Sequence, residues 1–121
     1  MYTMKLSLIQ VDAGTDKEAN YKKVERFIIE ATRQKSDIAC LPECFLYYGD
    51  REIKNAEPVD SNYSIGFKKL ARDNNISLIL GGVALATHNR TKMTNTAIVI
   101  HRQGRIVHRY NKMYMFNVRR K

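Results

Sequence analysis

Glu43 is the residue whose setting most suggests chemistry. It follows Pro42 and a short apolar run, Ile38-Ala39-Cys40-Leu41. A carboxylate there lies outside the carboxyl end of a buried strand, where open α/β sheets gather their reactive groups. The proline restricts the backbone that aims it. Such an acid can move protons, although a solvated loop acid is the commoner outcome of the same pattern. Lys112 stands just beyond a later β run, flanked by Asn111, Met113 and Tyr114. A lysine in a partly apolar setting can stabilise an oxyanion; in a chain with 21 Lys+Arg, a solvated lysine is the commoner outcome. Cys40 and Cys44 bracket the acid. Cys40 is expected in the core, and Cys44 would be reactive if a neighbouring base lowered its pKa.

The remaining motifs add little. His88, His101 and His108 do not fall at a recognised ligand spacing and there is no second cysteine pair, so no metal is expected. His101 and His108 lie in β runs and are expected to face solvent or a partner. Neither a Walker-type loop nor a GxGxxG fingerprint is present, and no organic cofactor is implied.

The elements that must hold these residues are legible as periodicity. Lys5 to Val11 reads as a strand. Thr15-x-x-Glu18 resembles a capping box and opens a helix expected over Lys17 to Lys35. Its apolar face carries Tyr21, Val24, Phe27, Ile28 and Ala31. Ile38 to Leu41 reads as a strand buried on both faces, which makes a βαβ unit with a right-handed crossover. A loop is expected from Phe45 to Asn62, with a helical turn near Glu52. A second amphipathic helix carries Ile65, Phe67, Leu70 and Ala71 and ends at Asp73-Asn74-Asn75. Ile76 to Leu80 is a further strand, and Gly81-Gly82 marks a bend or close approach. Thr94 to Ile100 and Arg105 to Tyr110 form an antiparallel hairpin with Gly104 at its tight position. The order β-α-β-α-β-β-β predicts an α/β fold, a mixed sheet with two helices on one face.

Length, composition and charge bound the class. With 121 residues, 44% hydrophobic and 27% charged, the chain is one globular domain. Two cysteines make no disulfide framework, the start resembles no signal peptide, and no apolar run approaches a membrane span. A cytoplasmic protein with no membrane partner is expected. The net charge of +9 is uneven: residues 1–73 hold 12 basic and 12 acidic side chains, and residues 74–121 hold 9 basic and none acidic. Two explanations fit. Bases interleaved with Tyr110, Tyr114 and Phe116 can bind nucleic acid, which ranks low because these aromatics also suit a sheet. Alternatively, the acids that face these bases belong to chain outside residues 1–121.

An ordered set of segments resembles the nitrilase, or carbon–nitrogen hydrolase, superfamily. Asp37 to Phe45 resembles its glutamate motif, and Arg109 to Phe116 its lysine motif. Gln10, Ala56-Glu57-Pro58, Gly81-Gly82 and Asn95-Thr96-Ala97 agree with the family in order and spacing. The resemblance implies an α-β-β-α sandwich, usually oligomeric, and a Glu–Lys–Cys triad that hydrolyses a small linear amide or related substrate. Glu43 would be the general base and later acid, and Lys112 the oxyanion holder. Tyr114 stands where a histidine is common, and Asn117 where an aspartate is common. The nucleophilic cysteine of this family lies downstream of the lysine motif, and neither Cys40 nor Cys44 matches it. Residues 1–121 are therefore expected to be a partial carbon–nitrogen hydrolase domain, ending before the nucleophile region and supplying about one half of the sandwich. Its expected partners are an amide substrate and either further copies of itself or a complementary second half. A non-catalytic remnant, or a subunit needing a second polypeptide, is the alternative.

Overall fold

A computed structural model describes residues 1–50, 53–89 and 91–115. Five strands form one mixed sheet in chain order: β1 (Leu6–Leu8), β2 (Ile38–Leu41), β3 (Ser77–Ala86), β4 (Met93–His101) and β5 (Arg105–Asn111). The first three are parallel, and β3-β4 and β4-β5 pair antiparallel. The parallel connections are made by helices α1 (Lys17–Arg33) and α2 (Asn62–Asn74). This is the α/β class, with the mixed sheet and two helices, that the periodicity predicts.

Each helix starts and stops for a local chemical reason. The α1 cap is Asp16, whose carboxylate accepts from the Ala19 N–H at 3.0 Å. Thr15 therefore lies one residue outside the helix, because the carboxylate satisfies an N-terminal donor that would otherwise lack a partner. The helix ends at Arg33 and not at Lys35, which takes a left-handed φ of 60°. Ser61 caps α2 by accepting from the Ser64 N–H at 3.2 Å, and Asn75 closes it at φ 51°. Asparagine tolerates that conformation better than most residues.

The core lies between the sheet and the helices. Val24 and Ile28 of α1 and Phe67 and Ala71 of α2 meet Ala39, Leu78, Leu80, Ile98 and Ile100 of the sheet, all nearly inaccessible. Phe45 reaches in from the loop after β2, its ring 5.6 Å from that of Phe67. Tyr21 bridges the helices, 5.0 Å from Phe67 and 5.5 Å from Tyr63. Burying one such side chain stabilises the fold by about 1.5–3 kcal/mol. Two members of the expected apolar faces point elsewhere: Phe27 is 44% exposed and Ile65 57%.

Strand alternation places the other sheet face away from this core. Leu8, Cys40, Ile79 and Val99 share one register row across β1 to β4. Cys40 is half-buried there and does not belong to the core. β1 is shorter than the Lys5 to Val11 expected, while β3 runs past Gly81-Gly82 to Ala86 through a register shift between Leu80 and Val83. Gly104 turns the β4-β5 hairpin at φ 84°. Glu52, where a helical turn is expected, lies outside the described residues, as do Arg90, Phe116 and Asn117; a 3-10 turn follows at Ile53–Asn55.

Candidate active site

Glu43 stands two residues beyond the end of β2, and Lys112 one residue beyond β5. The sheet order separates those strands by β3 and β4, yet the two side chains meet above them. Lys112 Nζ donates to Glu43 Oε1 at 3.0 Å. Both groups are accessible, at 40% and 48% of their side-chain surface. An ion pair so exposed contributes at most about 1 kcal/mol and does not hold its own geometry.

The geometry comes from the strands between. Asn95, on β4, donates its side-chain amide to the same Glu43 Oε1. Its backbone carbonyl accepts from the Lys112 N–H at 2.8 Å. On the reverse face of β4 the hydroxyls of Thr94 and Thr96 lie 2.8 Å apart, and Thr96 donates to Asn111 Oδ1 at 2.8 Å. The tips of β4 and β5 are thus tied on both faces. Gly82, on β3, sits beneath at φ 77°. A Cβ there would meet Asn95 Oδ1 at 2.6 Å and Glu43 Cγ at 2.9 Å, so any side chain would drive into both. Cys44 is also left-handed, at φ 61°, and its N–H donates to the Gly82 carbonyl at 3.1 Å.

Glu43, Gly82, Asn95 and Lys112 line an open hollow together with Ala97 and Tyr110. An adjoining cleft shares Gly82 and Asn95 and is walled by Leu46, Tyr47, Val83, Met93 and Met115. Across it Lys17 pairs with Glu57, both largely buried, with the ammonium 5.8 Å from the Tyr47 ring centre. The pair ties the start of α1 to the strand-like bridge that Glu57 makes with Leu85 of β3.

The candidate acid–base Glu43 and the candidate oxyanion holder Lys112 are therefore brought together, whereas Cys40 lies on β2 facing away from the helices. Burial pushes the Cys40 thiol up from its ordinary value. Cys44 lines the adjoining cleft. Tyr114 is exposed, and His108 stands exposed on β5. The segments around Asn95 and Glu57 match the family pattern and Lys17 belongs to none of its motifs, but the contacts these residues make span 40 or more positions and have no local sequence signal. Two bases of the acid-poor second part find acids in the first, Arg102 with Asp37 at 3.6 Å and Lys112 with Glu43. Among the described residues no group of three or more His, Cys, Asp or Glu side chains gathers to hold a metal. No helix among them is long and apolar enough to cross a membrane.

The sequence and the fold both resemble known proteins. The family model for carbon–nitrogen hydrolases matches residues 5–121. Deaminated glutathione amidase of Dictyostelium discoideum is 34% identical over 123 residues, covering 94% of this chain and 42% of that protein. Omega-amidase NIT2 of Homo sapiens is 29% identical over 120 residues, covering 98% and 43%. The chain thus spans less than half the length of these relatives. Among solved structures, the C. elegans NitFhit protein superposes with a TM-score of 0.86 at 27% identity, covering 97% of this chain and 30% of that one. Saccharomyces cerevisiae Nit3, of the nitrilase superfamily, gives 0.78 at 24% identity, covering 92% and 44%, and shows the fold alone.

Proposed function

The chain belongs to the carbon–nitrogen hydrolase family, and on that premise we propose that it carries the glutamate and lysine of an amidase acting on a small linear amide. The contact of Lys112 Nζ with Glu43 Oε1 at 3.0 Å carries this reading. Glu43 takes the proton of a cysteine thiol. The thiolate adds to the amide carbon, and the oxygen of the tetrahedral adduct develops its negative charge beside the Lys112 ammonium. As the adduct collapses, the C–N bond breaks, the amine leaves with the proton held by Glu43, and a thioester remains. Glu43 then deprotonates water, which cleaves the thioester to the acid and restores the thiol.

In this mechanism neither Cys40 nor Cys44 is the nucleophile. The thiol comes from chain outside residues 1–121, either continuous with it or on a second polypeptide, so residues 1–121 form a partial domain that ends before the nucleophile. The length of the relatives supports this assignment. The half-buried Cys40, Ile79 and Val99, with the exposed Leu6 and Leu8, offer an apolar face for that second half or for further copies. Cys40 and Cys44 are not joined in a disulfide, which suits a reducing compartment such as the cytoplasm.

The test is amide turnover by the purified protein, alone and mixed with a polypeptide carrying a family cysteine region. Turnover in the mixture, lost in Glu43→Gln and in Lys112→Met, is expected. Turnover by residues 1–121 alone that Glu43→Gln abolishes would place the nucleophile within the chain and overturn the assignment of the thiol. No turnover in either form would support a non-catalytic role.

A further inference from the structure

We propose that Asn95 is a positioning residue for the Glu43 carboxylate, an inference that rests on the hydrolase reading for its chemical meaning but not for its geometry. Glu43 and Lys112 are both accessible, and two long exposed side chains do not fix one another. Asn95 differs in kind. Its side chain is short, rises from a strand flanked on both sides by β3 and β5, and meets Glu43 Oε1 directly.

Three further observations give this contact the character of a built device. The Asn95 carbonyl also holds the Lys112 N–H, so one residue sets the position of both members of the ion pair. The flanking Thr94 and Thr96 are linked to each other and to Asn111 on the opposite face, which prevents β4 from rolling and carrying the amide away. Room for the contact exists only because residue 82 is glycine: a Cβ there would strike Asn95 Oδ1 at 2.6 Å. A surface asparagine that merely satisfied its own hydrogen bonds would need none of this support.

The expected consequence follows from the sensitivity of catalysis to placement, since a displacement of about 1 Å costs on the order of 100-fold in rate. In the full-length protein, Asn95→Leu keeps the branched shape and removes the donor, and Asn95→Ser keeps a hydroxyl too short to reach. Crystal structures of both variants should show Glu43 in a different or split rotamer, with Lys112 no longer at 3.0 Å from Oε1. Amide turnover should fall about 10–100-fold in kcat with KM changed less than about threefold, while the melting temperature stays within a few degrees. An unchanged Glu43 rotamer in a folded variant overturns the proposal. So does a loss confined to KM or to stability. If the parent protein turns over no amide, the hydrolase reading fails, and the rotamer of Glu43 still decides the role of Asn95.

Discussion

Cys44 and Gly82 flank Glu43 with matching backbones: both are left-handed, at φ 61° and 77°, and the Cys44 N–H donates to the Gly82 carbonyl at 3.1 Å. Glycine adopts that conformation freely, while cysteine carries about 1–2 kcal/mol of strain there. Residue 44 is held in place by its neighbours, and the carboxylate of residue 43 is aimed as a result.

Substitution should therefore act oppositely at the two positions. Gly82→Ala is expected to lower stability by about 1–3 kcal/mol and to displace Glu43, because the new methyl meets Glu43 Cγ at 2.9 Å. Cys44→Gly relieves strain and should unfold no earlier than the parent, whereas Cys44→Val should unfold earlier. Urea midpoints of the three variants measure this directly.

Lys17 and Glu57 are largely buried, at 20% and 12% side-chain exposure. Removing one partner leaves a charge without its counterion, so Lys17→Met should cost about 1–3 kcal/mol. The double variant Lys17→Met with Glu57→Gln should recover part of that loss. A double-mutant cycle with no coupling energy would show the pair to be incidental.

Burial, reinforced by the charges of Glu25 and Glu18, pushes the Tyr21 hydroxyl from 10.0 up to about 12. The folded state therefore keeps a proton that the unfolded chain releases. Its contribution to stability is complete below pH 10 and is lost as pH rises through 12. The melting temperature should fall over that interval, and less steeply in Tyr21→Phe.

Burial likewise raises the Cys40 thiol, which lowers its thiolate fraction near neutrality. Alkylation of the native protein by iodoacetamide, followed by peptide mass spectrometry, should label Cys40 more slowly than the same cysteine in urea. Equal rates would mean that the sheet face carrying Cys40 opens readily.

Periodicity makes the helices and the interior strands legible because one buried face repeats along each. Local chemistry is less visible. The capping pattern points to Thr15, yet the Asp16 carboxylate makes the bond; a four-residue pattern does not decide which of two adjacent acceptors reaches the N–H. Phe27 fits the helical stripe but lies on its margin and remains 44% exposed, since the spacing does not tell how wide the covering sheet is. For the site, a motif can nominate Glu43 and Lys112 singly. The bond from Asn95 joins positions 52 apart and depends on the register of β3 with β4, which no local pattern encodes.

The Glu43–Lys112 contact also closes the longest loop of the site, 69 positions. Among the described residues β5 pairs with β4 alone, and the residue of β5 that packs against the core is Ile106, partly buried. Closing so long a loop comes late and is weakly rewarded. The sheet through β4 needs nothing from Lys112, and the ion pair is an addition to its edge. Stability and the placement of Lys112 are then separable quantities in this chain: damage to the last strand is expected to displace Lys112 from Glu43 while leaving most of the core intact.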